Sequence, residues 1–86
     1  MSRPRLRLLG RAECGLCEEM LEALQESGLD QRLQLEVCAV DADPLWQRRW
    51  GLKIPVLLAD DGEPVCVSRF DADALQQWLD GAARGP

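Results

Sequence analysis

Residues 5–40 read RLRLLGRAECGLCEEMLEALQESGLDQRLQLEVCAV, and their changing periodicity decides the architecture. RLRLLG (5–10) alternates and then runs apolar into Gly10, as a strand does. From Cys17 the apolar residues recur at Cys17, Met20, Leu21 and Leu24, with Glu18, Glu19, Glu22 and Glu26 elsewhere around the wheel. That is an amphipathic helix, and Gly28 stops it. LQLEVCAV (33–40) alternates again through Leu33, Leu35 and Val37, giving a second strand. A strand, a helix and a strand in about 35 residues form a βαβ unit with parallel strands and a right-handed crossover.

Working outward, DADPLWQRRWG (41–51) carries a full set of helix punctuation. Asp43 caps, Pro44 fits the first helical position, and Gly51 is suited to a left-handed conformation after the last turn. Trp46 and Trp50 then share one face. PVLLA (55–59) reads as a third strand, DDGE (60–63) as a turn, and PVCVS (64–68) as the returning strand, an edge strand because Pro64 opens it. Asp71 caps a last helix with Leu75, Trp78 and Leu79 as its buried stripe and Gly81 as its end, leaving residues 82–86 as a frayed tail. The triplet DAD occurs at 41–43 and 71–73, and capping accounts for both copies. The order is β-α-β-α-β-β-α in a single domain, residues 1–86, with its core at about 5–80.

Composition narrows the function. The 86 residues are 47% hydrophobic and 29% charged, which is globular. A net charge of -5 argues against a nucleic-acid partner, since neutralising phosphates needs a basic face. No apolar run approaches the roughly 20 residues that span a bilayer. The N-terminal stretch MSRPRLRLLG lacks an apolar core of signal-peptide length, so a cytoplasmic location is expected. Four cysteines in such a chain are then expected as thiols, and a close pair among them as catalytic or metal-binding.

That pair is Cys14 and Cys17. Cys14 falls at or just before the first turn of the helix, where free backbone N–H groups and the positive end of the dipole favour thiolate. Cys17, one turn on, is placed to close a disulfide onto it. Arg11 should support the thiolate, whereas Glu13, Glu18 and Glu19 should oppose it. At separations of about 7 Å in water each such contribution is only ~0.6 kcal/mol, so the helix end should prevail. The segment WGLKIPVL (50–57) adds an Ile-Pro bond at the entry to a central strand, and an X-Pro bond adopts cis at modest cost.

With these residues in place the sequence resembles the thioredoxin-fold superfamily, and most closely its small glutaredoxin-like members. The resemblance rests on the CGLC helix start, the WGLKIPVL segment and the terminal hairpin and helix, about residues 5 to 80. It implies a four-stranded mixed sheet with helices on both faces. It also implies a thiol-disulfide oxidoreductase in which Cys14 is the exposed nucleophile and Cys17 the partly buried resolving thiol. Gly15 and Leu16 would border the substrate. Pro55 would be a cis-proline facing the dithiol, and Ile54 would offer its backbone to a bound strand. Arg11 matches a position where many glutaredoxins carry lysine.

No bound cofactor is implied. The partners would be a protein or small-molecule disulfide and an external reductant. Glutathione is one candidate reductant, but the Gly-Gly loop that helps glutaredoxins hold it is replaced by SRFDAD (68–73).

Two other readings stay open. One is a thioredoxin-fold adaptor that docks partners around Ile54 and Pro55. The other is a cysteine-ligated metal or iron-sulfur protein, for which no histidine and no second close cysteine pair is present. Cys38 and Cys66 read as small buried hydrophobes.

Overall fold

A computed structural model describes residues 3–84, with the side chains of residues 83 and 84 left aside. The elements follow the expected order: β1 (Arg5–Gly10), α1 (Gly15–Ser27), β2 (Gln34–Ala39), α2 (Pro44–Trp50), β3 (Val56–Ala59), β4 (Pro64–Val67) and α3 (Ala72–Arg84). The four strands make one sheet in the order β2-β1-β3-β4. β1 and β2 are parallel, whereas β1–β3 and β3–β4 are antiparallel, so the sheet is mixed.

The alternation of β1 and β3 divides the apolar residues between the two faces. Leu6, Leu8, Leu57 and Ala59 pack with Met20 and Leu24 of α1 and Leu75 and Leu79 of α3. Leu9, Val56 and Leu58 pack on the opposite side with Val40 and the two tryptophans of α2, Trp46 and Trp50. Side chains alternate along a strand, so this division is what period-2 sequence predicts once both faces are covered. Towards the open end of the second face, Arg5 and Arg7 replace apolar residues and pair with Asp60 at 3.3 and 3.0 Å.

The helix starts obey capping chemistry. Asp43 Oδ1 accepts from Leu45 N at 2.8 Å and Asp71 Oδ1 from Ala74 N at 3.1 Å. Each cap contributes on the order of 1 kcal/mol. At the other end of α1, Gly28 takes φ 78°, and its N–H donates to the Gln25 carbonyl at 3.1 Å.

Four details differ from the sequence expectations. Gly51 is right-handed helical (φ -55°, ψ -32°), not left-handed. A Cβ built there would lie 2.5 Å from the Gln47 carbonyl oxygen, so close approach rather than positive φ explains the glycine. α3 runs through Gly81 to Arg84, since one helical glycine costs only about 1 kcal/mol and alanines follow it. The expected tail at 82–86 is therefore helix as far as Arg84, and residues 85–86 lie outside the described residues.

The second strand is shorter than 33–40, because Val40 already belongs to a 3-10 turn, Val40–Ala42; another, Leu29–Arg32, precedes the strand. Finally, Val37 is 65% exposed. Its strand is the outermost on that side, and where Leu35 on the same face packs against the core, Val37 borders an open groove beside Leu21 of α1.

Candidate active site

β1 ends at Gly10 and α1 begins at Gly15, with Cys14 as its N-cap. The turn between them is sharp, and Glu13 reaches it only with φ 58°, in the left-handed region that non-glycine residues seldom enter. Cys14 itself is extended (φ -104°, ψ 106°). Its carbonyl accepts from Glu18 N at 3.1 Å, and its Sγ accepts from Cys17 N at 3.2 Å. The sulfur thus takes the place that a Ser or Asp oxygen usually occupies and faces the unpaired N–H groups of the helix start.

Cys14 and Cys17 are joined by a disulfide, with Cα atoms 5.2 Å apart. The two sulfurs differ in access: Cys14 is half-buried, Cys17 only 8% exposed. Cys17 rests on the end of β1. A Cβ on Gly10 would lie 2.9 Å from Cys17 Sγ and 3.2 Å from its Cβ, so the backbone of β1 must be bare there. Gly15, by contrast, is exposed, and a Cβ would meet nothing within 4 Å.

Two grooves flank the start of α1. One, of about 280 Å³, is walled by both cysteines with Ala12, Leu21 and Val37, and Arg11 lies on it. The Arg11 guanidinium also donates to Gln47 Oε1 of α2 at 3.5 Å. The other, of about 180 Å³, lies on the opposite flank, between Leu16 and the segment Ser68–Phe70; Leu16 is 57% exposed there.

The Ile54–Pro55 bond is cis. Pro55 is fully buried, Ile54 packs partly buried beside Val56 and Trp50, and neither lines either of these two grooves. Their segment is tied to the end of β4: Ser68 N donates to the Pro55 carbonyl at 2.8 Å, and Ser68 Oγ to the Lys53 carbonyl at 2.9 Å.

Among the predicted site residues, then, the structure brings Arg11, Cys14 and Cys17 to one groove and places Leu16 on the next. Ile54 and Pro55 are connected to that second groove through Ser68. Sequence reasoning missed Gly10, Val37 and Ser68. Gly10 carried a signal, since a glycine ending a strand beside a Cys-x-x-Cys invites a close-packing explanation. Val37 and Ser68 carried none, because their roles come from neighbours far away in the chain.

The other cysteines sit elsewhere. Cys38 lies on β2 and Cys66 on β4, the two outer strands of the sheet. Cys66 is buried and donates to the Asp71 carbonyl at 3.5 Å; desolvation pushes its thiol above the ordinary value. Cys38 is half-buried rather than buried, a correction to the sequence reading. Its backbone borders the larger groove while its Sγ donates to Glu36 Oε1 at 3.3 Å. Partial burial, and then the Glu36 carboxylate, raise its pKa as well. Among the described residues, no three cysteine or carboxylate side chains converge as a metal site would require. No described helix is long and apolar enough to cross a membrane.

A family model described as a glutaredoxin-like domain (DUF836) matches residues 5–80. An uncharacterised protein of Mycobacterium tuberculosis, Rv0508, is 35% identical over 68 residues, covering 73% of this chain and 70% of its own. Among solved structures, protein Ne2328 of Nitrosomonas europaea superimposes with a TM-score of 0.78 at 28% identity, over 92% of this chain and 94% of that one. The X-ray structure of protein XcR50 of X. campestris does so with 0.67 at 31% identity, over 94% and 99%.

Proposed function

The chain belongs to the family of glutaredoxin-like domains, and on that premise we propose that it is a thiol-disulfide oxidoreductase working through Cys14 and Cys17. The observation that carries this reading is the asymmetric pair itself. An accessible sulfur sits on the free N–H groups of a helix start, bonded to a shielded sulfur one turn along. Thiolate is favoured at such a position, and thiolate is the attacking species in disulfide exchange.

In the reaction, the Cys14 thiolate attacks one sulfur of a substrate disulfide. A Cys14–substrate bond forms, the substrate S–S bond breaks, and the departing sulfur leaves as a thiolate that takes a proton from water. The Cys17 thiol then loses its proton and attacks Cys14 Sγ, expelling the second substrate sulfur. Two electrons have passed to the substrate, and the protein holds the Cys14–Cys17 disulfide. That oxidised form is the state described above.

An external thiol reductant must restore the dithiol, and no bound cofactor takes part. Repeated turnover needs reducing surroundings, which suits the cytoplasm. The segment before α3 has no glycine pair, so the reductant need not be glutathione.

The test uses reduced wild-type protein and Cys17→Ser with a small disulfide, followed by intact mass. The wild type should end as an internal disulfide, two hydrogens lighter and carrying no adduct. Cys17→Ser should stop as a mixed disulfide that peptide mapping assigns to Cys14. A wild type that stays a dithiol, together with a variant that acquires no adduct, would point instead to a binding module with inert thiols.

A further inference from the structure

The larger groove is more than the surroundings of the dithiol. Any substrate disulfide attacked by Cys14 brings its own flanking residues with it, and consecutive residues of an extended chain are about 3.3–3.6 Å apart. A neighbour of the substrate cysteine therefore passes over surface that adjoins Cys14. On one flank that surface is the groove between α1 and β2, whose wall includes both sulfurs.

Its other lining is mostly apolar, with Leu8, Ala12, Leu21 and Val37 beside the charged Arg11 and Glu18. Val37 is 65% exposed on an outer strand of the sheet. Single exposed apolar residues are ordinary, but an apolar groove continuous with a reactive sulfur is an unusual surface to leave to water. At about 280 Å³ it lies just below the 300–1,000 Å³ of typical small-molecule sites, so it suits one or two side chains rather than a whole organic ligand.

The charges select further. Along the chain Glu13, Glu18 and Glu19 flank the dithiol with Arg11, but on the groove itself Glu18 and Arg11 stand one against one, and Glu19 lines the other groove. The groove therefore carries no surplus of basic charge to hold an anionic tripeptide such as glutathione.

We propose that the groove between α1 and β2 receives an apolar side chain adjacent to the cysteine of a polypeptide disulfide. The substrates are thus polypeptides rather than glutathione disulfide. This rests on the redox reading of Cys14 and Cys17.

The test is a single oxidation of pre-reduced protein, so that no second reductant enters. Two lysine-containing peptide disulfides are compared, with Leu or Ser next to the cysteine, alongside glutathione disulfide and bis(2-hydroxyethyl) disulfide. Each rate is divided by the rate of the same disulfide with dithiothreitol.

Wild type should favour the Leu peptide over the Ser peptide about tenfold, and glutathione disulfide should be slower than both. Val37→Glu, a change at an exposed position, should erase the Leu preference, with circular dichroism confirming that the variant is folded. Equal rates for the two peptides, a preference that survives Val37→Glu, or glutathione disulfide as the fastest substrate would each overturn the proposal. Failure to oxidise with any of the four would instead overturn the redox reading on which it stands.

Discussion

Two half-buried cysteines lie a short way apart in this fold, one at the start of α1 and one on the outer strand β2, and their surroundings are opposite. Cys14 Sγ accepts a backbone N–H of Cys17 and faces the positive end of a 13-residue helix. Cys38 Sγ donates to the Glu36 carboxylate, which disfavours its thiolate. Both residues are partly buried, and burial together with the Glu36 carboxylate holds the Cys38 thiol protonated, so the atom each sulfur meets separates the two. A thiol becomes reactive where donors converge on its sulfur, and inert where an acceptor claims its proton.

The sharpest way to break this comparison is to remove each sulfur in turn. Cys14→Ser should abolish disulfide reduction, whereas Cys38→Ser should leave it within about twofold of wild type. Stopped-time assays with a small disulfide read both. Comparable losses in the two variants would mean that the α1 start has no special chemistry.

A smaller effect concerns the support behind the dithiol. In Gly10→Ala the new methyl would stand 2.9 Å from Cys17 Sγ, and the disulfide prevents that sulfur from turning aside. Overpacking of this kind costs about 1–3 kcal/mol. The cost should be larger in the oxidised protein than in the reduced one, where Cys17 is free to rotate. Denaturant unfolding of the two forms measures the difference, and equal losses would mean that Gly10 does not hold Cys17 in place.

The gentlest change is at β2. Glu36→Gln removes the carboxylate beside Cys38, so its thiol should titrate lower and alkylate several-fold faster at pH 8, while Cys14 is unaffected. The sign for stability follows from the raised pKa values of Cys38 and Cys66. As pH rises past the ordinary 9.0, the unfolded thiols lose protons before the folded ones do. Folding stability therefore falls with pH in that window, and it should fall less steeply in Glu36→Gln. Unfolding curves between pH 8 and 10 check this.

Much of the fold was legible because short-range rules governed it. The alternation of RLRLLG, the apolar spacing from Cys17 to Leu24, the Asp43-Pro44 start and the Gly28 stop each express a local preference that packing then reinforced. The two 3-10 turns left no trace because turns this short have no period to read. Gly51 misled because a glycine after a helix usually signals positive φ, whereas here it makes room for the Gln47 carbonyl.

At the site, the Cys14–Cys17 pairing was legible from spacing alone, as was the N-cap position of Cys14. The grooves were not. Their walls join β1, α1 and β2 on one side, and α1 with Ser68–Phe70 on the other, and only the assembled sheet brings those residues together. Val37 is the clearest instance. Its alternation with Leu33 and Leu35 resembles that of a covered residue, yet it borders an open groove while Leu35 packs against the core.

Which thiol reacts first is the most direct question to put to the molecule. Fully reduced protein is treated at neutral pH with less than one equivalent of iodoacetamide, digested, and the carbamidomethyl group located by mass. The label should lie predominantly on Cys14, well ahead of Cys38 although both are partly buried, with Cys17 and Cys66 nearly untouched. Labelling of Cys38 at a rate equal to or above that of Cys14 would contradict the account.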